Sequence, residues 1–163
     1  MKNKKSLPAS PSAVVDRQGF TLIELLVVIA IIAILATVVF VALDPVTRFA
    51  SARNSRRWSD VNSILTAVHE YIVDNDGTLP AGISTTEQQL GSCTTGGATD
   101  CTGAAAACLN LSTPLAKYLK SIPLDPSGGV AATTKYSIVA DANNIITVTA
   151  CASELSDVVQ VSR

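Results

Sequence analysis

The first residue in this chain positioned to do chemistry is a carboxylate inside an apolar run. Glu24 lies in residues 20–43, a stretch of 24 with no other charged side chain. A charge in such surroundings is costly unless it is paired, so Glu24 is expected to have a counter-charge or hydrogen-bonding partner. The second group is the four cysteines, Cys93, Cys101, Cys108 and Cys151, all beyond the apolar run. Their spacings of eight, seven and forty-three do not match a zinc site, whose paired ligands sit close together. An even number in Gly/Thr/Ala-rich sequence points to two disulfides in an oxidising compartment. The expected pairing is Cys93–Cys101 with Cys108–Cys151. Cys93–Cys108 with Cys101–Cys151, and Cys93–Cys151 with Cys101–Cys108, are the alternatives.

Enzymatic chemistry has little to work with. His69 is the only histidine, so a triad or multi-histidine metal centre would have to be built around it. Its place beside Val68 reads as a helix-surface position. Asp74, Asp76 and Gly77 lack the later glycine and glutamate of an EF-hand loop. Phosphate loops, dinucleotide fingerprints and Cys-x-x-Cys pairs are absent from the sequence. Neither enzyme activity nor a cofactor is expected.

The elements that hold these residues follow from composition. A chain of 163 residues suits one ordinary domain. With 48% apolar and 15% charged residues it is too apolar for disorder and too charge-poor for an ordinary soluble domain. The net charge of −1 conceals a basic leader, residues 1–19, with Lys2, Lys4, Lys5 and Arg17 against Asp16. Residues 20–43 would make a helix of about 36 Å, enough to cross a hydrocarbon core. Residues 44–75 read as an amphipathic helix, with Trp58, Val61, Leu65, Val68 and Ile72 on one face. Arg53, Arg56, Arg57, Asp60 and Glu70 fall mainly on the solvated side. Asp44-Pro45 should kink the chain between the two helices, because Pro45 lacks an N–H and restricts Asp44. Asp74-Asn75-Asp76-Gly77 should end the second helix.

Residues 76–163 begin as a loop and end as a small β-rich module. Ser84 to Glu87 has capping-box spacing. Thr113-Pro114 should start a short helix with Leu115, Tyr118 and Leu119 inward, ended by Ile122-Pro123. Strands are expected at 135–140 and 145–150, joined by Asp141-Ala142-Asn143-Asn144, with a third short strand within 157–161. The fold class is α+β: a long N-terminal helix whose amphipathic half packs on a small antiparallel sheet.

Gly19-Phe20-Thr21-Leu22-Ile23-Glu24, after a basic leader and before about twenty apolar residues, resembles the type IV pilin and pseudopilin family. The resemblance implies that a prepilin peptidase cuts between Gly19 and Phe20 and that Phe20 becomes N-methylphenylalanine. It also implies that Glu24 pairs with the new Phe20 ammonium of a neighbouring subunit. Pairing within one chain is the alternative that sequence leaves open. A signal peptide fits poorly, because the apolar run is long, holds a glutamate and lacks a prompt small-x-small site. In one respect the chain departs from the family: the helix-breaking proline tends to come earlier, where Val41 stands here.

The function implied is a structural subunit of a type IV pilus-like filament, stored single-pass in the cytoplasmic membrane with its N-terminus inside. The alternatives are a type II secretion pseudopilin and a membrane-anchored binding module that never polymerises. Implied partners are further copies or related pilins, the prepilin peptidase, the membrane assembly machinery, and lipid before assembly. Some pseudopilins hold calcium in a C-terminal loop, and by that resemblance Asp125, Asp141 and Asn143 are the calcium candidates. Arg48, Arg53, Arg56 and Arg57 are expected on a filament surface or paired with Asp44, Asp60 or Glu70. DNA binding by them is a lesser alternative.

Overall fold

Leu, Ile, Val and Ala, uninterrupted by proline or glycine, form helix α1 (Leu22–Leu43) in a computed structural model that describes residues 19–163. The basic leader lies outside the described residues apart from Gly19. The chain divides into two units, the second being Asp44–Arg163. In the first, α1 rises about 33 Å and satisfies its own backbone, as a lipid environment requires. Thr37 turns its hydroxyl back to the Ala33 carbonyl at 2.9 Å. No residue of α1 is buried. Among the described residues, one helical stretch, beginning at Leu22, is long and apolar enough to cross a membrane.

The second unit opens at Asp44, which takes a left-handed conformation (φ 37°) and caps helix α2 (Pro45–Asp74). Its carboxylate accepts from Thr47 Oγ1 at 2.6 Å, and Pro45 occupies the first helical position, where its missing N–H is harmless. The helix interruption therefore falls on Asp44, with Pro45 already helical. At the other end Gly77, at φ 84°, donates its N–H to the Ile72 carbonyl at 2.9 Å, a left-handed stop suited to glycine.

Four antiparallel strands follow: β1 (Gln88–Gln89), β2 (Tyr136–Ala140), β3 (Ile146–Ala150) and β4 (Gln160–Ser162), in the spatial order of the sequence. Tyr136 faces Ala150, Ile138 faces Val148 and Ala140 faces Ile146, so the alternate residues of β2 and β3 build one inner face. Val61, Ile64, Leu65 and Val68 of α2 join that face in one core with Leu90, Leu111, Leu115 and Val159. Each such side chain contributes about 1.5–3 kcal/mol through burial. The α+β architecture is the expected one, a helix packed on a small antiparallel sheet.

Several local expectations are corrected. Trp58 remains 43% exposed, whereas its neighbour Arg57 is fully buried. The buried face of α2 runs Ala50, Asn54, Arg57, Val61, Ile64, a line that misses Trp58 by one residue's rotation. Residues 76–108 contain β1 and a short helix α3 (Gly97–Asp100). Ser84 to Glu87 forms no helical turn, because Glu87 accepts instead from the Ser137 hydroxyl at 2.5 Å. Residues 112–118 are turns rather than helix, although Leu119 N–H still reaches the Leu115 carbonyl at 2.8 Å.

The disulfides are Cys93–Cys108 and Cys101–Cys151, which corrects the expected pairing in favour of an alternative. The cause is local backbone pairing. Cys108 N–H donates to the Cys93 carbonyl at 3.0 Å and Gly97 N–H to the Ala106 carbonyl at 2.8 Å. That brings Cys93 beside Cys108. α3 intervenes, and Cys101 bridges instead to the residue after β3.

Candidate functional site

In the first unit the candidate residues Gly19, Phe20 and Glu24 gather at the start of α1. Gly19 has open space where a side chain would stand, and Phe20 is 81% exposed. Thr21 and Glu24 form a reciprocal cap. Thr21 N–H and Oγ1 donate to Glu24 Oε2 at 2.9 and 2.7 Å, and Glu24 N–H donates to Thr21 Oγ1 at 3.3 Å. This satisfies orphan donors of the first helical turn and half of the carboxylate. Oε1 has no hydrogen-bond partner among the described residues. Phe20, Ile23, Val27 and Val28 line a shallow apolar recess beside Glu24.

The second unit holds a charged cluster that sequence reasoning missed. Arg57 uses all five of its N–H donors. Asp125 takes two of them, from Nε at 2.6 Å and Nη2 at 3.0 Å. Asn54 Oδ1 and Glu154 Oε2 accept from Nη1 at 2.7 and 2.9 Å, and Ser127 Oγ accepts from Nη2 at 2.7 Å. Arg53 grips Glu154 with two further bonds of 2.7 and 2.6 Å. Asn54 donates to the Glu154 carbonyl at 2.7 Å and to Asp157 at 2.8 Å. One turn and a half of α2 thereby clamps the segment before β4, where Leu155 and Ser156 both adopt left-handed backbone (φ 60° and 58°).

The electrostatics follow from these contacts. The Arg53 and then the Arg57 guanidinium pull the Glu154 carboxyl down to about 2. Asp125, by hydrogen bonding, and then Glu154 push Arg57 further above its already high value. Burial, reinforced by a 2.7 Å bond to Asp60, raises the Tyr136 phenol well above its ordinary range. Every member of the cluster is engaged in bonding, so it holds structure and offers no free acid or base.

The expected arginine partners are corrected accordingly. Of the proposed pairs only Arg56–Asp60 forms, at 3.8 Å, because Asp125 and Glu154 satisfy Arg57 more fully than any acid on α2 can. Asp125 is likewise withdrawn as a calcium ligand, its side chain fully buried on Arg57. Asp141 caps its own turn, accepting from Asn143 N–H and Ile145 N–H at 2.8 Å each, which holds its carboxyl below the ordinary range. Among the described residues no three His, Cys, Asp or Glu side chains are grouped to hold a metal. His69 is half-buried rather than fully on the surface, in a groove with Thr66, Glu70, Val73 and Tyr118.

The signal for the first site is local and lies within six consecutive residues. The signal for the second was present only as Pro-Leu-Asp-Pro at 123–126 and as an excess of arginine on one helix. Residues 16–40 match the family model of the prokaryotic N-terminal methylation motif. No curated protein and no solved structure matches the chain. Gly19, Phe20 and Glu24 all lie inside the matched segment, and the chain therefore carries the prokaryotic N-terminal methylation motif, the prepilin motif of type IV pilins and pseudopilins.

Proposed function

We propose that this chain is a structural subunit of a type IV pilus-like filament, held in the cytoplasmic membrane by α1 until its leader is removed between Gly19 and Phe20. The observation that carries this reading is a 22-residue helix with no buried residue, adjoining a cleavable Gly-Phe bond and a half-satisfied carboxylate. That apolar surface requires lipid before assembly and other copies of α1 afterwards. Cleavage removes the basic leader, leaves the helix intact and creates an ammonium at Phe20, which the methylation motif marks for methylation. Glu24 Oε1 is the acceptor left for the Phe20 ammonium of a neighbouring subunit, since Thr21 occupies Oε2. A prepilin peptidase and a membrane assembly machine are the partners this requires.

The test is electron microscopy of sheared surface material, with mass spectrometry of the subunit N-terminus. Fibres whose subunits begin at methylated Phe20 are expected. Glu24→Ala should leave cleavage and membrane level unchanged and abolish fibre yield, because the Phe20 ammonium would enter the bundle unpaired. Subunits that remain membrane-bound as monomers after shear would refute the filament reading. Residues 1–19 still attached in assembled material would refute the processing.

A further inference from the structure

α2 carries its charges in two blocks. Arg48, Arg53, Arg56 and Arg57 precede Asp60, Glu70 and Asp74, and Asp76 follows just past the helix. The helix macrodipole favours the reverse order, so the stability of α2 does not explain the arrangement. Internal contacts explain part of it. Arg53 and Arg57 are bound to Glu154 and Asp125, Asp60 accepts from the Tyr136 hydroxyl, and Asp74 is bonded to Lys117 and Tyr118. Arg48, Glu70 and Asp76 have no ion-pair partner among the described residues, and Arg56 has only the loose contact with Asp60 from a side chain 66% exposed. Arg163 lines the same groove as Glu70 without pairing with it.

Three of these leftover charges share one side of the helix, and Asp76 lies exposed just past its end. At about 100° per residue, Arg48, Arg56 and Glu70 fall within a sector of about 80°, opposite Val61 and Val68. All three are exposed. We infer that Arg48 and Arg56 of one copy dock against Glu70 and Asp76 of a second copy of this chain, displaced along the helix axis. The inference rests on the filament reading above and specifies its lateral contact. A second copy is the occupant because one helix carries both signs, so a parallel copy shifted by the Arg48-to-Glu70 spacing, about 33 Å, meets opposite charge. Anionic lipid headgroups would account for the basic block and leave the acidic block unexplained. Single exposed pairs are weak, and repetition along a fibre is what makes them count.

The experiment reverses each block in the full-length chain in the assembling cell. Arg48→Glu with Arg56→Glu, and separately Glu70→Arg with Asp76→Arg, should each lower sheared-fibre yield about tenfold or more, because like charges then face each other. Leader cleavage and both disulfides, read by non-reducing electrophoresis, should be unchanged. All four changes together should restore yield to within about threefold of the unsubstituted chain. The neutral pair Arg48→Gln with Arg56→Gln covers the case in which reversal disturbs folding, and should lower yield about threefold. Unchanged yield in any pair, or a fourfold variant no better than the pairs, would overturn the inference. Loss confined to the arginine reversal, with membrane level falling alongside, would assign that block to lipid and overturn it equally. A lack of fibres from the unsubstituted chain would instead remove the filament reading itself.

Discussion

Replacing Arg57 with methionine should unfold the second unit at a much lower temperature. The substitution deletes five hydrogen bonds and leaves the Asp125 carboxylate, 0% exposed, without its counter-charge. Only Ser127 N–H, at 2.7 Å, still donates to it. Breaking a buried pair by removing one partner costs about 3–5 kcal/mol. For the unit Asp44–Arg163, an unfolding entropy of about 2.1 cal/mol/K per residue sums to about 250 cal/mol/K. A loss of about 4 kcal/mol then lowers Tm by about 16 °C. The assay is thermal denaturation of the full chain in mild detergent, followed by near-ultraviolet circular dichroism, which reports buried Tyr136. Arg57→Met combined with Asp125→Leu should recover at least half of the loss, because apolar replacement of a buried pair is about neutral. A fall of less than about 4 °C for the single variant, or a double variant that melts no higher, would refute the claim that the orphaned carboxylate sets the cost.

Two further outcomes follow from the same unit. Glu154 titrates at about 2 when folded against an ordinary 4.5, so the stability it adds is complete above about pH 5 and is lost as pH falls towards 2. Tm should therefore drop across that window, and Glu154→Gln should flatten this part of the profile; a Tm profile unaltered by Glu154→Gln would count against the clamp. Replacing Cys101 and Cys151 with alanine should destabilise the unit by about 4 kcal/mol and replacing Cys93 and Cys108 by about 3 kcal/mol in denaturant titrations, since the bridges span 50 and 15 residues. An inverted order would place the stabilisation outside chain entropy.

What could be read from sequence was what is encoded locally. Gly19 to Glu24 declares itself within six residues, and the 3.6-residue period placed Val61, Leu65 and Val68 correctly in the core. β2 and β3 came within one residue at their starts because alternating apolar residues flank an Asp-Asn turn. Apart from the turns that replace the helix expected after Thr113, the failures were long-range. Apolar periodicity put Trp58 inside and Arg57 outside, since nothing on α2 reveals that acids 68 and 97 residues away will meet Arg57. β1 consists of two glutamines, which carry no strand signal, and is held by its pairing with β2. The expected Cys93–Cys101 ring gave way to the backbone pairing of Cys93 with Cys108, which local spacing does not reveal.

The two bridges interleave along the chain, Cys93 and Cys108 enclosing Cys101, and Cys101 and Cys151 enclosing Cys108. Their overlap makes the unit resistant to fragmentation by proteases. A single cut between Cys93 and Cys101, at the exposed Thr94-Thr95-Gly96 segment for example, leaves both pieces joined through Cys93–Cys108. One between Cys101 and Cys108 is spanned by both bridges. A nick anywhere from Cys108 to Cys151 is spanned by Cys101–Cys151. Side-by-side pairing would have left Thr102 to Ala107 as a seam at which one scission releases everything beyond it. Interleaving closes that seam, so a chain nicked once between Cys93 and Cys151 keeps its sheet, its clamp and its attachment to α2 until a reductant arrives.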